Sequence, residues 1–118
     1  MIKGFKETAA LTDAERELIP VLIRGFSNYT GKENAISGLE IRKRLKLKNI
    51  IVEGPRLRKL INYIRLNDKS IILCSCGAGY YIAANTDEIK ETINSIQHRV
   101  NSQLAIIEAL DDKLRLCQ

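Results

Sequence analysis

Residues 54–66 read Gly54-Pro55-Arg56-Leu57-Arg58-Lys59-Leu60-Ile61-Asn62-Tyr63-Ile64-Arg65-Leu66. The spacing predicts a helix over 55–66. Pro55 lacks the amide hydrogen that a first helical position leaves unpaired anyway, and its ring presets a helical φ. Leu57, Leu60, Ile61 and Ile64 return at intervals of three and four, which stacks them in one apolar stripe. The opposite side carries Arg56, Arg58, Lys59, Asn62 and Tyr63, with Arg65 on the flank and no carboxylate before Asp68. Such a helix buries its stripe and offers solvent a face of guanidinium, ammonium and amide groups.

Upstream, Ser37-Gly38-Leu39-Glu40 has the form of a capping box, with Ile36 and Ile41 placed as a hydrophobic staple. The short helix it opens puts Ile41 and Leu45 toward a core and Arg42, Lys43, Arg44 and Lys46 elsewhere, with Lys48 just beyond. An earlier helix starts at Thr12, whose hydroxyl and Glu15 form another capping box, and presents Leu18, Val21, Leu22 and Phe26 on one face. Pro20 lies inside that pattern and predicts a kink or a late start. Downstream, residues 71–83 read as a hairpin, with strands from Ile71 to Cys74 and from Tyr80 to Ala83 around a Gly77-Ala78-Gly79 turn. The tip, Ser75 to Gly79, carries no Lys or Arg, although Lys69 lies nearby.

The last segment differs in kind. After a cap at Thr86, Ile89, Ile93, Ile96, Val100, Gln103, Ile107, Leu110, Leu114 and Cys117 alternate in steps of four and three, the seam of a coiled coil. Buried apolar side chains of this size contribute about 1.5–3 kcal/mol each, so water is a poor partner for the seam. A second copy of the chain is the simplest cover, and folding back onto the chain's own domain is the alternative. β-Branched Ile93, Val100 and Ile107 at one seam position favour two strands if the pairing is parallel, and Gln103 would fix register. The expected organisation is a domain over 1–85 and a dimerisation helix over 86–118.

Charge follows the same division. The chain has 118 residues, 45% of them hydrophobic, with 19 Lys and Arg against 14 Asp and Glu, net +5. That composition suits a globular domain and excludes a disordered polyelectrolyte. Residues 40–69 alone hold ten basic and three acidic groups, so this stretch supplies essentially the whole positive field. No apolar run approaches the roughly 20 residues of a membrane span, and MIKGFKETAA lacks the apolar core of a secretory signal. Three cysteines are too few for a disulfide framework, which points to a reducing cytoplasm.

Three helices and a hairpin, with the third helix cationic, are the organisation of a winged helix-turn-helix. ISGLEIRKRL before the recognition helix, GPRLRKLINYIRL as that helix and GAGYYIA as the returning wing strand resemble a winged-helix DNA-binding family of bacteria, phages and mobile elements. The resemblance covers about half the chain, or most of it with the first helix counted. It implies that Arg56, Arg58, Lys59 and Asn62 enter a major groove. The last helix resembles the dimerising extension of several winged-helix regulators and replication-termination proteins. The chain departs from the pattern in its longer connector, Lys46 to Gly54, and in its uncharged wing tip.

The chemistry agrees with that expectation. Arginine offers a fork that matches guanine, asparagine pairs with adenine, and lysines neutralise phosphates. Arg56, Arg58, Lys59, Asn62 and Tyr63 supply groups for bases, and Arg42, Lys43, Arg44, Lys46 and Lys48 groups for the backbone. The expectation is therefore a mainly α fold with a small β-hairpin, a winged helix-turn-helix followed by a long coiled-coil helix. Its function is that of a cytoplasmic homodimer binding specific double-stranded DNA as a transcriptional or replication-associated regulator. The rival is a protein-binding adaptor on the same scaffold. No enzyme, cofactor, metal or small-molecule substrate is expected: His98 has no Cys or Ser partner, and Asp111 and Asp112 are adjacent and diverge. Cys74 and Cys76 share one face of a strand, but four zinc ligands in paired clusters are lacking, and buried thiols commonly serve as small hydrophobes.

Overall fold

Thr12 closes the first turn of α1 (Asp13–Phe26): its hydroxyl accepts from the Glu15 amide and its own amide donates to the Glu15 carboxylate, so the capping box is complete. The computed structural model describes residues 10–118. α1 starts at Asp13 and continues through Pro20, so the late start expected from the proline is not seen. A single 3-10 turn (Lys32–Asn34) leads to α2 (Gly38–Leu47), then come α3 (Gly54–Asn67), β1 (Leu73–Cys76), β2 (Gly79–Ile82) and α4 (Thr86–Leu116). The fold is mainly helical, with one two-stranded antiparallel hairpin and a long last helix.

The α3 stripe is the centre of the core. Leu57, Leu60, Ile61 and Ile64 are all buried, against Leu22 and Phe26 of α1, Ile41 and Leu45 of α2, and Ile36 and Leu73. Ser37 caps α2 by accepting from the Glu40 amide. The reciprocal half of that capping box is absent, because the Glu40 carboxylate pairs with Arg44 Nε at 3.2 Å.

The hairpin sits two residues later on its first strand than the sequence suggests. Cys76 pairs with Gly79, leaving Gly77 and Ala78 as the turn, and Ile71 precedes the strand. The return strand is fixed from its other side by Ile36, whose amide donates to Tyr80 O at 2.9 Å while the Tyr80 amide donates to Ile36 O at 2.8 Å. Gly79 makes that approach feasible: its φ is +136°, and a Cβ there would lie 2.1 Å from Ile36 O.

Asn85, not Thr86, caps α4; its Oδ1 accepts from the Glu88 amide at 3.0 Å. The Glu88 carboxylate accepts in turn from the amides of Ala84 and Lys32, both at 2.8 Å, and these two donors hold its pKa below the usual glutamate value. Lys32 Nζ reaches Glu91 at 3.0 Å, and Thr92 is buried against Ser75 of β1. Two turns of α4 are thus tied to the domain. The rest projects from it, and the molecule measures 54 × 35 × 24 Å. No helix among the described residues is long and apolar enough to cross a membrane.

Candidate nucleic-acid interface

The polar side of α3 is divided by α1. Arg58 and Asn62 are exposed, and Arg56 and Tyr63 are exposed on the edge nearer α1. Lys59 corrects the expectation of an open cationic face: it is 5% exposed, and its Nζ lies 2.8 Å from Glu15 Oε1. The amino-terminal turn of α1 covers it, and the carbonyl of Ala10 accepts a further bond at 3.4 Å. Arg56 Nε approaches the same carboxylate at 3.8 Å. Burial pushes the Glu15 carboxyl up, but the Lys59 ammonium and the Thr12 amide outweigh it and its pKa lies below the usual value. Lys59 therefore ties α3 to α1.

At the amino end of α3 two guanidiniums converge. A Cβ on Gly54 would lie 3.2 Å from Arg42 Nη1 and 3.8 Å from Arg58 Nη1, so α2 and α3 each send an arginine over this glycine. Of the other α2 cations, Lys43 and Lys46 are exposed. Arg44 and Lys48 are exposed as well; both also line the apolar groove between α1 and α2, and Arg44 lies over the Tyr29 ring at 5.6 Å. The cationic surface near α3 thus loses Lys59 and has Arg42 and Arg58 at its centre, with the neutral amide of Asn62 beside them.

A second feature escaped the sequence reading. An open groove of about 720 Å³ runs between Arg58, Asn62 and Arg65 of α3, the hairpin tip, and Ser95 and Arg99 of α4. Arg65 Nε donates to Leu73 O at 2.9 Å, its guanidinium lies 5.8 Å from the Tyr80 ring centroid, and its buried Nη2 has no hydrogen-bond partner among the described residues. Burial lowers the Arg65 pKa, and the positive charge of Arg99 adds to that effect. Long-range packing brings these groups together, and only the lack of charge at the hairpin tip hinted at where a cation was needed.

The seam of α4 is open along its length. Ile89 is half-buried near the domain, whereas Ile93, Ile96, Val100, Gln103, Ile107, Leu110 and Leu114 are exposed, Leu110 at 59%. The chain does not fold α4 back over its own described residues. Leu104 and Ile106, which the seam pattern omits, are exposed on either side of it and widen the apolar strip. Cys74 is buried, Cys76 half-buried and Cys117 exposed; among the described residues no three His, Cys, Asp or Glu side chains are placed to hold a metal ion together. Comparison with protein-family models, curated proteins and solved structures gave no match, so the reading of this surface rests on its own residues.

Proposed function

We propose that the protein is a homodimeric double-stranded DNA-binding protein of winged helix-turn-helix type, with α3 as its recognition helix and a regulatory role in transcription or replication. The observation that carries the reading is the pairing of Arg42 and Arg58 over Gly54, with the Asn62 amide about one turn further along the same side of α3. Arginine and asparagine at base edges, with flanking Lys43 and Lys46 on phosphates, are the side chains major-groove readout uses. Burial of the opposite stripe supports it, since a recognition helix must be held rigidly from behind. The bridge from Ile36 to Tyr80 adds a third short extended segment beside the hairpin, which suits a winged fold. The exposed seam of α4 supplies the surface for a second copy, and two recognition helices would then read an inverted repeat.

Fluorescence anisotropy with a labelled duplex across a salt series tests the proposal. Binding whose log affinity falls with log salt at a slope of several is expected, because each neutralised phosphate releases counterions. Absence of binding at low salt overturns it and favours the adaptor reading, for which exposed Leu47 and Ile51 beside α2 would be contact residues.

A further inference from the structure

The sequence leaves the hairpin tip without a cation, and the structure places two arginines beside it from elsewhere. The groove between α3, the tip and α4 has Arg58 and Arg65 on one wall and Arg99 on the other, and none of the described residues lining it is Asp or Glu. Arg65 and Arg99, with no carboxylate among the described lining residues, form a site for an anion. Two further facts concern Arg65. Its Nη2 is buried with no hydrogen-bond partner among the described residues, so part of its charge is desolvated and uncompensated. Arg65 also feels the like charge of Arg99 across the groove, so an anion seated between them would relieve repulsion as well as accept bonds. Ser75 and Ser95 line the same space, and its volume of about 720 Å³ admits a phosphate with its substituents. Guanidinium donors in a groove with no described acidic lining residue match a phosphate in charge.

We infer that this groove is a phosphate-binding site in which Arg99 of α4 and Arg65 of α3 clasp a backbone phosphodiester of the DNA that α3 reads. The occupant, though not the phosphate chemistry, rests on the DNA-binding reading. α4 then has two duties: its apolar strip pairs with a second copy, and its first exposed turns supply the cation that the wing lacks. The register of the duplex is set by α4 as well as by α3.

The test compares the full chain with Arg99→Gln. Arg99 is exposed and lies in the middle of a helix, where glutamine is well tolerated. With a 20-base-pair duplex, the slope of log affinity against log salt is expected to fall by about 1, with a similar loss of affinity on every sequence. Arg99→Lys should restore the slope. An unchanged slope in a chain that binds duplex overturns the inference and leaves the DNA-binding reading standing. So does a change in self-association by sedimentation at constant slope, since Arg99 would then face the partner copy. If the chain binds no duplex, side-chain ¹H–¹⁵N resonances of Arg65 and Arg99 are followed with sodium pyrophosphate. Shifts there that Arg99→Gln abolishes retain the phosphate site with a small-molecule occupant; no shifts overturn it.

Discussion

Helical position and exposure part company at Lys59. Its spacing puts it in the middle of the polar side of α3, yet Glu15, 44 residues away in sequence, buries it in an ion pair. Local periodicity specifies which way a side chain leaves its helix and says nothing about what another helix lays over it. The apolar stripe was legible for the same reason: Leu57, Leu60, Ile61 and Ile64 need only the period. Because breaking a buried ion pair is costly, Glu15→Ala or Lys59→Met singly should destabilise the fold by about 3–5 kcal/mol, read by urea unfolding. Glu15→Leu with Lys59→Met should cost far less than either. The Glu15 pKa is depressed in the fold, so its contribution is complete above the usual glutamate value of 4.5 and is lost as pH falls through the lower folded value. Thermal midpoints should decline below about pH 4.5, and decline less in the double variant. Gly79→Ala forces a Cβ against Ile36 O at a positive φ and should cost about 3 kcal/mol or more. Gly77→Ala is its control, because the added carbon meets nothing within 4 Å.

At the scale of the element, α3 and α4 were readable because each carries a long amphipathic period, and both run within a residue or two of the expected bounds. The hairpin was harder. β-Propensity favours Ile71 and Ile72, but Gly79 must meet Ile36, and this tertiary pairing sets the register with Ser75 and Cys76 inside the strand. The cap of α4 moved one residue for a local reason: Asn85 holds the extended backbone that a cap requires, and its amide oxygen accepts from the Glu88 amide. Two consequences follow for function. Arg58→Ala should weaken specific duplex binding by about 1–3 kcal/mol and relax the sequence preference; an equal loss on all sequences would mean that Arg58 touches only phosphate. Ile107→Asp places a charge in the middle of the seam, which should cost the dimer at least about 1.5–3 kcal/mol per chain. Sedimentation should then show monomers at concentrations where the parent chain is paired.

For the whole molecule, the decisive contrast is between a domain closed around one core and a helix that leaves it with its apolar strip open. The sequence revealed the strip but not its width, since Leu104 and Ile106 fall outside the seam positions. It revealed the concentration of positive charge over residues 40–69 but not its partition, in which Lys59 is buried in an ion pair while Arg58, Lys43, Arg44, Lys46 and Lys48 stay exposed. In the proposed dimer, two copies joined through α4 would present two α3 helices related by a twofold axis, and a twofold reader would select twofold DNA. Selection of bound duplexes from a random library measures this most directly. The account predicts enrichment of an inverted repeat whose half-sites are centred about 10 base pairs apart or a multiple of that, lost when Arg58 and Asn62 are both replaced by alanine. Recovery of a single asymmetric site, or of no enriched duplex, would contradict it.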